Sequence, residues 1–566
     1  MKLDFLKPQQ MEFLREGKYI QDDETPQQRF KEIVDKIREY ESDYSEGLAD
    51  RIEYMLDKNI LSLSTPVLAN FGKPKKEGKN THPLPASCYI VTVGDSIDGI
   101  YDAIGQVAVA SKLGGGVGSD FQMVTQKGTK IDEGFYSNSK LDWIEDSVGA
   151  GQKVSQSSLR RGYNTPFISI DDNDFDGLMD RISKTNPDKK DRLINNTVGI
   201  ILPIGFREKL LTDKEAQRRY LKVLTERKKT GRIYMLDEKN CNNNSSPVYK
   251  KLGLSVKVTN ICTEFLNILT PDLTSVCVIS AMNLVHWDEI KSKPQMIKDG
   301  FMFLDIVNQE YIKLSEGVRF LEKAHKSAKE KADIGLGTLG LAELFQMKGY
   351  AYGDVYSRAL NKEIFKTIRE AGEEVTYDLG NRLGSPKYCE MAGMVRRNCS
   401  LMMVAPNKST SFISGETSGG IEPFMSNVFF KSLAKIQYVW KNKHLESLLE
   451  KVGKNNSVVW GSIEDNNGSI QHLDFLDDYQ KSIFRTFSEI SPKDMIDLAS
   501  DRQEFIDMGQ SLNLMFRKNY TIKDIYDIHK YAWDKDIKTL YYAYNSAHAA
   551  LEKDGEKWDN CVSCSD

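Results

Sequence analysis

Val198-Gly199-Ile200-Ile201-Leu202 is a short apolar run closed by Pro203. It is followed by a helical pattern over Phe206 to Lys229 and by a second short run from Arg232 to Leu236. Such runs read as buried strands, and two of them separated by one helix read as parallel neighbours joined by a crossover. The texture repeats outward along the chain. Cys88 to Val91, Ser275 to Ile279 and Leu401 to Ala405 are further strand patterns bounded by Gly, Pro, Asn or Ser, and Leu360 to Leu379 is a further helix. This alternation predicts an α/β protein built on parallel strands. A length of 566 residues would divide into several average domains of ~150 residues, but there is no internal repeat and no low-complexity linker, so one large catalytic domain is expected.

Composition narrows the function classes. Lysine and arginine number 77 against 81 acidic residues, a net charge of −4, which excludes a polybasic nucleic-acid coat and gives no electrostatic reason for a membrane surface. No stretch approaches ~18 uninterrupted apolar residues. The opening MKLDFLKPQQMEFLREG has no apolar signal core, so a cytoplasmic protein is expected. Thr25-Pro26-Gln27-Gln28 carries a capping-box pattern, and Phe30, Ile33, Val34 and Ile37 then mark one apolar helix face. At the other end, Ala550 to Asp566 is charged and poor in apolar residues and is expected to be mobile. Eight cysteines are too sparse for a disulfide scaffold, which leaves buried, metal-bound or catalytic roles.

Asn260-Ile261-Cys262-Thr263-Glu264 sets an amide, a thiol and a carboxylate at alternate positions. In an extended segment the period of two would turn all three to one side. Any solvent-facing strand alternates polar residues, yet a free thiol is an odd choice for such a face. Cys561-Val562-Ser563-Cys564 fits half of a zinc site, a redox dithiol or an incidental pair. Zinc needs about four ligands and only His548 stands near, whereas a dithiol needs two thiols and access. Cys88 and Cys277 lie in strand patterns and by themselves read as small core hydrophobes; so do Cys241, Cys389 and Cys399, which show no partner. Ala405 to Ser411 places hydroxyls and one lysine after a strand, where a turn into a helix can cradle phosphate. Gly72 to Asn80 is not a P-loop, because no Ser or Thr follows its lysine. Gly114-Gly115-Gly116-Val117-Gly118 marks only a sharp turn or a close backbone approach. Tyr541-Tyr542 reads either as ordinary aromatic packing or as stacked phenols that carry an electron.

Ser64-Thr65-Pro66, Ala86-Ser87-Cys88, Val93-Gly94-Asp95-Ser96, Asn260-x-Cys262-x-Glu264, Cys277 to Leu284, Pro406 to Thr410, Gly420-Ile421-Glu422-Pro423, Asp501 to Asp507, Ser511 to Leu514, Lys538 to Tyr542 and the tail cysteine pair follow one another in order. Together they resemble the catalytic subunits of class I ribonucleotide reductases. The resemblance implies a ten-stranded α/β barrel of two five-stranded parallel halves with a central finger loop. The barrel would span 61–545, after a helical region over 1–60 and before a redox tail over 546–566. Cys262 would become a thiyl radical that takes the 3′-hydrogen of a ribonucleotide, Glu264 would be the base at the 3′-hydroxyl, and Asn260 would orient the sugar. Cys88 and Cys277 would supply the reducing electrons and close a disulfide. Cys561 and Cys564 would reduce that disulfide by exchange, with thioredoxin or glutaredoxin as the external reductant.

Tyr541 and Tyr542 match a tyrosine pair that relays the radical from a separate small subunit. The radical cofactor, metal-dependent by expectation, then belongs to that partner, with no metal or other cofactor on this chain. Substrate phosphates would rest on Pro406, Asn407, Lys408, Ser409 and Thr410, helped by backbone near Gly116, with Thr65 and Ser87 also touching the nucleotide. Asp95 and Ser96 match an effector site at a homodimer interface, and Gln156 and Arg160 match the loop that relays effector identity. Gly118 to Val124 lacks the arginines common there, which leaves effector control open. The residues before Ser64 lack the opening pattern of an ATP-cone, so none is expected. The alternatives are a cobalamin-dependent reductase, whose family lacks the tyrosine pair, and an inactive nucleotide-binding paralogue, in which a thiol or the Asn-x-Cys-x-Glu set would be lost. A glycyl-radical motif is not found. No nucleic-acid or membrane partner is expected.

Overall fold

Val198–Leu202 and Ile233–Asp237 form adjacent parallel strands, with Gly199 level with Tyr234 and Leu202 with Asp237. The helix expected between them is two helices, Phe206–Lys209 and Lys214–Thr230. Asp213 makes the break, because its carboxylate accepts from Glu215 N and Ala216 N at 2.8 and 3.2 Å and so caps a new helix. The computed structural model describes residues 1–21, 23–73, 83–154, 162–183, 191, 193–194, 196–432 and 437–545.

In chain order the strands that matter are β1 (Leu61–Leu63), β2 (Cys88–Thr92), β3 (Gly116–Asp120), β4 (Asn164–Ser169), β5 (Val198–Leu202), β6 (Ile233–Asp237), β7 (Val256–Thr259), β8 (Leu266–Ile268), β9 (Ser275–Cys277), β10 (Ile279–Asn283), β11 (Gly335–Leu339), β12 (Leu514–Phe516), β13 (Thr539–Leu540) and β14 (Ala543–Asn545). Strands β2, β3, β4, β5 and β6 are parallel neighbours in that order. Every residue of β2, β3, β5 and β6 is buried, as parallel strands covered on both faces require.

A second set of five closes the ring. Its staves are β9 continuing into β10, β11, the stretch 400–404, the stretch 509–516 containing β12, and β13 continuing into β14. Strand β10 runs parallel to β11, Val404 bridges Gln510 in parallel, and β12 runs parallel to β14. The two halves meet antiparallel at both seams, β9 on β2 and β13 on β6. This is the expected ten-stranded α/β barrel. The Leu401 to Ala405 pattern is a stave without a regular ladder, since the Asp507 carboxylate takes the Leu401 and Met402 amides at 3.0 and 2.9 Å in place of backbone carbonyls.

Outside the ring, the Thr25 hydroxyl accepts from Gln28 N at 3.2 Å and the Gln28 side chain accepts from Thr25 N at 2.8 Å, so the helix Pro26–Arg38 starts where its capping box stands. It buries Phe30, Ile33, Val34 and Ile37. A small satellite core of Leu445, Leu449, Trp460 and Ile463 lies under the hairpin Val428–Ser432 and Gln437–Lys441. Among the described residues no helix is long and apolar enough to cross a membrane.

Candidate active site

Strands β7 and β8 pair antiparallel and carry a six-residue tip, 260–265. The tip is a tight turn and not an extended segment: Asn260 N donates to Phe265 O at 3.0 Å, Phe265 N to the Asn260 side-chain oxygen at 3.1 Å, and Thr263 sits at φ 67°. Asn260, Cys262 and Glu264 therefore converge because the chain curls back, and strand alternation is the wrong reason for the right grouping. Asn260 Nδ2 donates to Glu264 Oε1 at 2.9 Å.

Glycines let this hairpin thread the barrel. A Cβ on Gly118 would stand 2.7 Å from Thr259 O, one on Gly116 would stand 2.9 Å from the Ile261 side chain, and one on Gly509, on the opposite half, would stand 2.8 Å from Thr263 O. Backbone atoms at such distances cannot move aside cheaply, so the loop passes where side chains are missing. The glycine-rich run in the sequence is thus a close-approach site. Gly509 N donates to Glu264 O at 2.7 Å, and Thr539 Oγ1 to Thr263 O at 2.9 Å, which ties the tip to the second half.

Three reactive groups meet at the tip. The sulfurs of Cys88 and Cys262 and a carboxylate oxygen of Glu264 all lie within 4.8 Å of one another, and all three residues are buried. Cys277 stands directly opposite Cys88 across the β9–β2 seam, so the two thiols that were 189 positions apart (277 − 88) are cross-strand partners. The neighbouring Cys88 thiol, burial and the Glu264 carboxylate push the Cys262 thiol well above its usual range, and burial followed by Cys88 and Glu264 does the same for Cys277. Both then remain thiols at neutral pH. The arrangement suits hydrogen-atom transfer.

Ser511, quoted only as the start of a matching segment, and Met403, inside a strand pattern, join the site with no role expected of them. The Ser511 hydroxyl lies 2.6 Å from Cys262 O and 3.1 Å from Glu264 Oε2, and Cys277 Sγ contacts Met403 Sδ at 3.5 Å. Cys389 and Cys399, read as partnerless, face each other with sulfurs 3.6 Å apart.

The Tyr541 hydroxyl points at Cys262 Sγ from 3.6 Å. Its ring centroid is 4.4 Å from that of Tyr542, and Tyr542 stacks on Tyr544 at 6.1 Å and 15°. Tyr234 on β6 packs against both members of the pair, at 4.7 and 5.1 Å. Only the unbroken 541–542 pair was a sequence signal; a tyrosine inside a buried strand, such as Tyr234, looks like ordinary core.

Asn407, at φ 53°, turns the chain into the helix Lys408–Ile413. Its side chain donates to Thr338 O at 3.0 Å, and Lys408 Nζ pairs with Glu422 at 2.6 Å. Ser409 and Thr410 are nearly buried, and the Ser409 hydroxyl has no hydrogen-bond partner among the described residues, a donor available to a ligand. Pro406 lies against Gly419 and Gly420, where a Cβ would meet its carbonyl oxygen at 3.0 and 3.3 Å. Ser87 reaches Ser64 at 3.2 Å, beside Thr65, and Gly116 N donates to Ser87 O at 3.0 Å, so Thr65, Ser87, Gly116 and Cys88 share one rim. Asp95 accepts from Thr125 N at 2.8 Å, and Ser96 caps the helix Ile97–Lys112. Gln156, Arg160, Cys561 and Cys564 lie outside the described residues.

The barrel-domain model of ribonucleotide reductase matches residues 86–218, 214–395 and 387–543. The ribonucleoside-diphosphate reductase large subunit of Invertebrate iridescent virus 3 is 28% identical over 94% of this chain and 92% of its own length. The corresponding subunit of Caenorhabditis elegans is 26% identical over 89% of this chain and 72% of its own. Among solved structures, the Actinobacillus ureae class Id ribonucleotide reductase alpha subunit superposes with a TM-score of 0.86 at 31% identity, covering 97% of this chain and 99% of that one. With the barrel closed, the finger loop threaded through it and the family matched over most of the length, this chain belongs to the ribonucleotide reductase family as a large subunit that reduces ribonucleoside diphosphates to their 2′-deoxy forms.

Proposed function

We propose that the finger-loop tip performs the radical chemistry and that the β2–β9 seam performs the reduction. The carrying observation is the meeting of Cys262, Cys88 and Glu264 within 4.8 Å, with Cys277 paired to Cys88. A Cys262 thiyl takes the 3′-hydrogen atom of the ribose, and Glu264 takes the proton of the 3′-hydroxyl. The 2′-hydroxyl leaves as water after accepting a proton from the thiol pair. The thiol pair of Cys88 and Cys277 then gives one hydrogen atom to C2′ and one electron to the 3′-ketone, closing a disulfide, while Glu264 returns its proton to O3′ and Cys262 returns the hydrogen atom to C3′. The sum is ribonucleotide plus two thiols giving deoxyribonucleotide, disulfide and water. Asn260 holds Glu264, and Ser511 holds the Cys262 backbone.

Pro406 to Thr410 would carry the substrate phosphates on the first amides of the helix and the Ser409 hydroxyl. Thr65, Ser87 and the backbone at Gly116 would complete the nucleotide's rim. Tyr542 and Tyr541 would carry the radical inward from a small subunit that holds the radical cofactor. Asp95, Ser96, Gln156 and Arg160 would form and read an effector site in a homodimer, in the cytoplasm, and a barrel over 61–545 between a helical region and a redox tail would be the domain plan.

The class is tested by adding either a purified small subunit or adenosylcobalamin to a deoxynucleotide assay. Activity only with the small subunit is the expected result, and activity with cobalamin alone would sink the reading. The tail makes a separate prediction. Cys561→Ser should stop multiple turnover driven by thioredoxin while sparing turnover driven by a small dithiol that enters the barrel; equal loss with both reductants would refute a shuttle role for the tail.

A further inference from the structure

Lys331 and Asp333 are buried charges behind the finger loop, with 0% and 4% of their surface exposed. They flank the turn from the helix Glu322–Lys331 into β11, and the alanine between them sits at φ 47°, a left-handed conformation that a residue with a Cβ enters at a cost. That turn aims both side chains at one point. Lys331 Nζ donates to Asn267 Oδ1 and to Ser275 Oγ, each at 2.8 Å, and stands 3.6 Å from Asp333. Asp333 accepts from Asn267 Nδ2 at 3.2 Å, from the Tyr249 hydroxyl at 3.1 Å and from Ser400 Oγ at 2.9 Å.

The partners belong to the parts of the site that must hold register. Asn267 lies on β8, the return arm of the finger hairpin, shortly after Glu264. Ser275 lies on β9, two positions before Cys277. Ser400 opens the stave that runs on to the phosphate loop. Burial pulls the Lys331 ammonium below its ordinary range and Asp333 partly restores it. A buried ion pair of this kind is weak evidence for stability, because desolvation offsets much of its attraction. What it does accomplish is to fix one element against another.

We propose that Lys331 and Asp333 are positioning residues for the reducing half of the reaction, setting the finger loop at its working distance from the strand that carries Cys277. The inference rests on the reductase reading of the site. The tip itself is held separately, by Gly509, Ser511 and Thr539, so hydrogen-atom abstraction by Cys262 survives loss of the lysine while delivery of electrons from Cys277 is delayed. A C2′ radical that waits too long takes a hydrogen atom from the Cys262 thiol instead. That leaves a 3′-keto-2′-deoxynucleotide and regenerates the thiyl, with no net electrons exchanged. The ketone then loses a proton from C2′ and the free base from C1′.

The ratio of free base to deoxynucleotide, measured in single turnover with the small subunit present, separates positioning from simple destabilisation. Lys331→Met removes both donors and should raise that ratio at least about tenfold, as expected for the loss of charge-assisted hydrogen bonds near the reacting groups. Lys331→Arg should restore much of it. Ser275→Ala, which removes one partner only, should shift the ratio in the same direction and serves if the methionine variant does not fold. Lower activity at the wild-type ratio, in whichever of these variants folds, overturns the proposal. Cys277→Ser is the control: wild-type protein that makes no deoxynucleotide, or a Cys277→Ser variant that releases no base, would refute the reductase reading instead.

Discussion

Cys262→Ser is expected to abolish deoxynucleotide formation, a loss of at least about 10⁴-fold of the kind seen when the reacting group itself is removed, while nucleotide binding stays within about threefold. The residue is buried at a turn whose geometry is set by Asn260, Phe265 and Thr263 backbone bonds, none of which involves the sulfur. A serine hydroxyl is smaller and fits. Its O–H bond is much stronger than the S–H bond, so a tyrosine neighbour cannot turn it into the radical that takes a C–H hydrogen. Equilibrium dialysis of substrate and a turnover assay on the same preparation check both halves. Turnover within tenfold of wild type would mean that another group abstracts the hydrogen.

Tyr541→Phe should be nearly as severe, at least about 10³-fold in turnover, with the melting temperature little changed. The ring keeps its packing against Tyr542 and Tyr234, 4.4 and 4.7 Å away between centroids, and the backbone carbonyl of residue 541 keeps the buried Arg227 guanidinium at 2.6 Å. Only the hydroxyl 3.6 Å from Cys262 Sγ is lost. Phenylalanine has no hydrogen to exchange with the sulfur at accessible potential, so the proposed relay would be cut at its last step. A phenylalanine variant that retains a tenth of wild-type turnover would show that the radical reaches Cys262 by another route.

Parallel α/β architecture was legible because Cys88 to Val91, Val198 to Leu202 and Arg232 to Leu236 are short runs set apart by helical stretches, the pattern of strands buried on both faces, whereas closure into a barrel came from the family resemblance and the glycine-rich β3 gave no strand signal. The second half was harder to read. Its 400–404 stave draws hydrogen bonds from the Asp507 side chain, and local propensity cannot anticipate a partner a hundred residues away. The Asn260, Cys262, Glu264 grouping was visible, but its cause was not: period two suggested a strand, whereas Thr263 at positive φ and a backbone bond from 260 to 265 make a turn. The glycines at 116 and 118 announced a close approach without saying to what. Lys331 and Asp333 gave no signal, since a lysine and an aspartate at a helix end look like surface residues until the fold buries them.

The most direct test of the central claim is to follow the thiols through one turnover. A Cys561→Ser/Cys564→Ser chain, loaded with the small subunit and substrate and given no external reductant, is quenched with an alkylating agent and its cysteine peptides are identified by mass. The expected result is one Cys88–Cys277 disulfide for each deoxynucleotide formed, with Cys262 alkylated. Deoxynucleotide formed while Cys88 and Cys277 are both recovered alkylated, or a disulfide that includes Cys262, would contradict the account.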